Sequence, residues 1–376
     1  MESFRRHLPK TSLGSRNLSA IEGSQRILAG KLAIVLFNLG GPDRLESVEP
    51  FLFNLFNDPA IIGAPGLVRR ILAKMIAARR APVAREIYAQ MGGKSPLLEQ
   101  TREQATALQE CLRQRGHDAG VFVCMRYWHP MSEETAASVK KFAPDEIVLL
   151  PLYPQFSTTT TGSSLADWQK AAGSLQLTVS NKAVCCYPTE SGFVAAVTRL
   201  IRESLAKASS TQRQRVLFSA HGLPKKVIAR GDPYQWQVEK TVAEVVRALD
   251  IEALDHGICY QSRVGPLAWI GPSLDEELER AARDRVSVLV VPTAFVSEHS
   301  ETLVELDIEY RQKASELGIP GYARAATVGT AEEFIVGLAE LVEDALSRGM
   351  EPCPQGGKRI CPEPLGQCPC RTGLHL

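Results

Sequence analysis

Val216-Leu217-Phe218-Ser219-Ala220-His221-Gly222-Leu223-Pro224 is an apolar run that ends in a histidine and is then broken by a glycine and a proline. Such a run reads as a buried parallel strand with His221 at its carboxyl end. In open α/β sheets, ligands and chemistry gather outside those strand ends. Histidine is the side chain most easily tuned to exchange protons near neutral pH, so His221 is a candidate base. The plain alternative is a structural histidine in a strand-to-helix turn.

A second strand further along ends in the same way. Val286-Ser287-Val288-Leu289-Val290-Val291-Pro292 leads into Phe295 and then Glu298-His299-Ser300-Glu301. A helix is expected next, on which Glu298, Glu301, Glu305 and Glu309 share an arc of roughly 80°. Most acidic stripes are solvated faces. This one begins at a strand end beside a histidine, where crowded like charges raise some carboxyl pKa values and suit a proton relay. His299 and Glu301 are two residues apart, a poor spacing for joint chelation of one zinc, and no H-E-x-x-H is present.

Strand and helix patterns alternate through the rest of the chain. Strands are expected at 31–39, 121–125, 146–150, 183–187 and 257–260, with amphipathic helices between them. The glycine turn Gly40-Gly41-Pro42 lacks the full dinucleotide-binding spacing. The hydroxyl-rich loop Ser157–Ser164 reads as a helix cap, with anion binding as the alternative. The apolar residues from Phe51 to Met75 stand beside Arg69, Arg70 and Lys74, which suits a core, a membrane-touching surface or a flat, apolar, acidic ligand.

A chain of 376 residues is long for one core and suits two domains. The expected fold class is α/β, two halves each with a parallel sheet flanked by helices, with a cleft between them. The halves are 31–176 and 177–348. Residues 1–30 read as a disordered extension; their arginines and serines also suit a transit peptide, a reading that Glu2 and Glu22 weaken. Residues 349–376 form a cysteine-rich tail. The net charge of +1 provides no field for nucleic acid, and no apolar run is long enough to span a bilayer. Nine cysteines, four of them after residue 352 and with no secretory signal, point to a reducing compartment and to metal or cluster binding.

Taken in order, several motifs resemble those of the ferrochelatases: Asn38-Leu39-Gly40-Gly41-Pro42, Gly92-Gly93-Lys94-Ser95-Pro96, Met125 through Pro130, Tyr153 through Ser157, Phe218 through Pro224, Tyr260 through Pro266 with Trp269 through Pro272, and Phe295 through Tyr310. The resemblance implies two Rossmann-like domains around a porphyrin cleft and insertion of Fe2+, as substrate, into protoporphyrin IX. It implies that His221 and Glu301 are catalytic and meet the iron, and that Glu305 and Glu309 form a proton path. Porphyrin contacts are implied at Leu39, Arg80, Tyr88, Ser95, Arg126, Tyr127, Tyr153, Trp269 and Phe295, with Arg80 or Arg126 facing the propionates.

The family also includes members with a 2Fe–2S cluster, and the Cys361, Cys368 and Cys370 spacing resembles a bacterial version. The animal version takes its fourth thiolate from the Tyr-Pro-Gln loop, where this chain has Thr158. The fourth ligand expected here is Cys186, with Cys185 or Cys353 as alternatives. A cytoplasmic protein with peripheral contact at the inner membrane face is implied, with no oligomeric state specified. The alternatives are a coproporphyrin or other-metal chelatase, or a non-catalytic porphyrin or haem carrier.

Overall fold

The computed structural model describes residues 30–207, 213–263, 265, 267–348 and 353–372. The expected N-terminal extension lies outside them except for Gly30. β1 (Leu32–Asn38) is buried along its whole length. β2 (Ala119–Met125) and β3 (Glu146–Pro151) flank it, both parallel, and β4 (Asn181–Ala183) extends the sheet past β3 in the order β2-β1-β3-β4. The second sheet repeats the plan. β5 (Gln214–His221) lies between β6 (His256–Gln261) and β7 (Ser287–Pro292), and β8 (Tyr322–Arg324) adds to β7, in the order β6-β5-β7-β8.

Parallel pairs need crossovers, and helices supply them. α1 (Val48–Phe56), α2 (Gly66–Gln90) and α3 (Leu97–Gln114) lie between β1 and β2; α4 (Ser132–Phe142) follows β2, and α5 (Thr161–Ser174) follows β3. α6 (Ser191–Lys207) leads to β5, and α7 (Lys225–Ala229) and α8 (Tyr234–Leu249) lead away from it. α9 (Leu274–Asp284) precedes β7; a π-helix (Glu301–Glu309) and α10 (Tyr310–Glu316) follow it. α11 (Glu332–Ser347) and the short α12 (Pro369–Thr372) complete the described chain.

One core joins the two sheets. Successive strand residues point to opposite faces. Leu32, Ile34 and Leu36 of β1 therefore share a cluster with Val216 and Phe218 of β5, filled by α3, α6, α8 and α11. Ala33, Val35 and Phe37 face the other way, against Trp168. Leu217 likewise turns outward, against Leu274 and Leu278 of α9. Burial on both faces is why these strands read as continuous apolar runs.

The structure departs from local sequence rules in three places. The strand expected at 183–187 is the earlier, shorter β4, and it pairs with β3 in the first sheet. Past it, Val184 bridges to Cys353 instead, so the vicinal cysteines meet the tail. α2 continues through Pro82, a residue type that ordinarily interrupts a helix. Proline removes the donor to the carbonyl four residues back, here that of Ala78, an exposed residue. Third, Thr160 makes no side-chain cap to α5, and the hydroxyls around it serve buried carboxylates instead.

α6 and α11 approach through two glycines. A β-carbon on Gly192 would stand 2.1 Å from the Glu333 carbonyl oxygen, and one on Gly337 would stand 2.3 Å from the Glu190 carboxylate. Gly192→Ala must push backbone apart and should cost about 1–3 kcal/mol, the usual range for overpacking. Gly173→Ala, in α5 with open space around it, should instead stabilise by about 0.4–1 kcal/mol. Thermal midpoints of the two variants should therefore move in opposite directions.

Candidate active site

β5 ends at His221, and the π-helix that follows β7 begins at Glu301. Because β5 and β7 are parallel neighbours, their carboxyl ends open on the same rim. There His221 Nδ1 and Glu301 Oε2 stand 2.9 Å apart. Burial disfavours a charged imidazole, yet the charge and hydrogen bond of Glu301, with Glu305 behind it, raise the His221 pKa. Burial likewise opposes ionisation of Glu301, but the facing His221 wins and holds it at about 2. Each partner thus favours the charged form of the other against the burial that opposes it. His299 behaves oppositely: burial keeps it below its ordinary value, and its Nδ1 accepts the Glu301 backbone N–H at 3.1 Å.

Glu305 lies four residues beyond Glu301, and the wide turn of a π-helix keeps residues four apart near one line. Ser262 donates its N–H to Glu305 at 2.8 Å and its hydroxyl at 2.6 Å, and Gln261 Nε2 donates at 3.1 Å. Ser262 achieves this at φ 59°, a left-handed backbone that serine rarely adopts. Burial and the charge of Glu301 raise Glu305 to about 7. Glu309 is exposed at the far end of the same helix. Glu298 does not join the stripe; it pairs with Arg324 at 3.0 Å and accepts the Thr327 N–H.

The other expected residues divide into two groups. Tyr88, from α2, is buried, and burial with the nearby Glu301 charge pushes its phenol up to about 12. Phe295 meets the His299 ring edge-on at 4.5 Å. Trp269 packs toward Gly222, beside His221, and lines an open pocket of about 540 Å³ with Lys225, Arg263 and Glu276. Leu39 is half-buried among α1 and α2 residues that include Tyr88. Arg80 is exposed, over the Phe56 ring at 5.6 Å.

The remaining four are engaged in the protein interior. The Arg126 guanidinium donates to Asp58 at 2.9 Å and to Ser163 at 2.7 Å, and Tyr127 donates to the same Asp58 oxygen at 2.8 Å. Arg126 is therefore already paired, which leaves Arg80 as the open cation of the two. Ser95 is buried against Gly41, where a β-carbon would come within 2.6 Å of it. Tyr153 lies in the outer core of the first sheet with Trp168. Sequence reasoning missed the groups that hold the site: Gln261 and Ser262 on Glu305, and Gln104, whose amide bridges the Val296 and Gly329 carbonyls at 3.0 and 2.9 Å. The motif Tyr260-Gln261-Ser262 was the available signal for the first two.

Six cysteines from two distant segments collect in a second place. Cys370 Sγ stands 3.1 Å from Cys353 Sγ, and Cys185 Sγ 3.6 Å from Cys186 Sγ. The buried Gln237 amide donates to Cys186 Sγ at 3.3 Å and Cys361 Sγ at 3.2 Å. Hydrogen bonding from Cys361 and Cys370 holds Cys368 down at about 3. The donor set is thus sulfur-rich and includes every expected ligand. Among the described residues, no three His, Cys, Asp or Glu side chains are already spaced around one ion.

Glu305 gives the site a pH signature. Folded, it keeps its proton up to about 7, whereas an ordinary glutamate loses it near 4.5. Between those values the folded chain binds more protons than the unfolded one, so this residue makes stability fall as pH rises. Glu305→Gln should remove that dependence. Its thermal midpoint should gain on the wild type from about pH 5 to 7 and level off above, and parallel curves would contradict the assignment.

The ferrochelatase family model matches residues 31–346. The ferrochelatase of Caulobacter vibrioides (strain NA1000 / CB15N) is 54% identical over 347 residues, 91% of this chain and 98% of that one. That of Rickettsia bellii (strain OSU 85-389) is 48% identical over 348 residues, 92% and 96% of the two chains. Among solved structures, SirB from Bacillus subtilis with Fe3+ aligns at a TM-score of 0.49 and 13% identity, over 84% of this chain and 95% of that one. On the family match and these identities, the chain belongs to the ferrochelatase family.

Proposed function

We propose that His221 and Glu301 carry the proton and metal chemistry in the family's reaction, insertion of Fe2+ into protoporphyrin IX to make haem. The observation that carries this is the 2.9 Å contact between them, with Glu305 hydrogen-bonded just behind. Insertion must remove two pyrrole protons as the dication enters. Neutral His221 takes the two pyrrole protons one at a time; the approaching ferrous ion repels each from the imidazolium so formed, and Glu305, near 7, accepts it in turn. Glu309 passes protons to solvent. Tyr88, Phe295, Trp269 and Leu39 offer apolar contact for the ring, and Arg80 a partner for a propionate.

The cysteine pocket is read as a 2Fe–2S site held by Cys361, Cys368, Cys370 and, as fourth ligand, Cys186. Four thiolates are required and six are gathered, and the Gln237 amide contacts both Cys186 and Cys361. When bound, such a cluster supplies a one-electron centre. On α2, Leu67 (76% exposed), Val68, Ile71, Met75 and Val83 are exposed beside Arg70, Lys74 and Arg79. That combination suits peripheral contact of a cytoplasmic enzyme with an anionic inner-membrane face. No helix among the described residues is long and apolar enough to cross a membrane.

His221→Ala tests the assignment. Iron insertion into protoporphyrin should fall by about 10²–10⁴-fold while porphyrin binding persists. A variant at the wild-type rate would overturn it, and a wild-type chain that binds porphyrin yet metallates neither protoporphyrin nor coproporphyrin would be a carrier. For the cluster, anaerobically purified protein should be brown and should lose its visible absorbance on Cys368→Ser. A colourless preparation would count against it.

A further inference from the structure

We infer that Tyr234 and Gln237, neighbouring positions in the first turn of α8, couple the cysteine pocket to the placement of His221. Tyr234 is buried, and its hydroxyl donates to the His221 backbone carbonyl at 3.1 Å. That carbonyl belongs to the last residue of β5, where the strand gives way to Gly222. Gln237 is fully buried, and both ends of its amide are used. Its nitrogen donates to Cys186 and Cys361, and its oxygen accepts the Phe156 N–H at 2.7 Å. The same helical turn therefore touches sulfur on one side and the strand end on the other.

The tail holds this turn from a second direction. Gly231, at φ 92°, accepts the Gln367 N–H at 3.1 Å. A β-carbon there would lie 2.7 Å from the Gly366 nitrogen, so tail and loop meet backbone to backbone. Asp232 follows. One oxygen accepts the Tyr234 N–H at 3.0 Å, and the other takes the Ser157 hydroxyl and both donors of Thr158. The residues just before Tyr234 thus rest on the tail, and the residue three after it rests on the sulfurs. Packed interiors shift between discrete arrangements and do not stretch smoothly. Loss of the tail's sulfur ligation releases both supports, and Tyr234 transmits the release to the His221 carbonyl. Tyr234 is a positioning residue in this scheme, acting through His221 and touching neither iron nor ring.

The inference rests on the cysteine pocket being a cluster site, and a double-mutant cycle separates the two. The proteins are wild type, Tyr234→Phe, Cys368→Ser and the double variant, each assayed for kcat, porphyrin KM and visible absorbance. Tyr234→Phe should keep the absorbance and the KM while kcat falls about tenfold, as expected for a small misplacement of a reacting group. Cys368→Ser should lose the absorbance and a similar share of kcat, and the double variant should be no slower than the slower single one. A coloured wild type whose two losses multiply overturns the coupling and leaves the cluster standing. A wild type without cluster absorbance overturns both. If Cys368→Ser fails to fold, Gln237→Met takes its place in the cycle: its loss of kcat should vanish in the Tyr234→Phe background, and persistence there overturns the coupling.

Discussion

The contact between His221 and Glu301 depends on a backbone fact, the parallel pairing of β5 with β7. Two groups eighty residues apart become partners because one ends β5, the other follows β7, and both strands end on one rim. Burial opposes charge on both groups, and each supports the charged form of the other against it. Neighbouring amides fix the geometry around the pair. Gln261 exemplifies them: its amide oxygen accepts from Ser219 in β5, while its nitrogen reaches the Glu301 carbonyl and the Glu305 carboxylate.

Several glutamines bridge the first half to the second, alongside contacts such as the Arg115–Glu343 ion pair. Gln104 and Gln100 of α3 hold residues 296–298, immediately ahead of His299. Gln155 donates to Thr241 and the Thr293 carbonyl. An uncharged amide with a donor and an acceptor can satisfy two backbones at once without adding charge beside the His221–Glu301 pair. The shared apolar core brings the halves together without direction, and these amides supply the register.

Much of this was legible from residues. Strands buried on both faces give unbroken apolar runs, so β1, β5 and β7 were readable, and His221 with them. Glu301 and Glu305 were found as a stripe and through the family resemblance. Glu298 was placed in that stripe by helical periodicity, but a π-helix begins only at Glu301, and Arg324 draws Glu298 aside. Arg126 looked like a propionate partner because its motif gives no sign of Asp58, sixty-eight residues earlier. β4 was placed in the wrong sheet because three residues carry too little pattern to name a neighbour.

The sequence by itself determined the α/β class, the main strands and the family, and it singled out the histidine and carboxylates proposed for the site. Those features are local, or recur as motifs in a set order, so they survive without coordinates. Only the tertiary structure decided which charges pair, which arginine is left open, that six thiols share one pocket, and that a single turn of α8 touches both that pocket and β5. Each of these depends on through-space distances between segments far apart in the chain, and hydrogen bonds and ion pairs act over distances that no spacing in the sequence encodes.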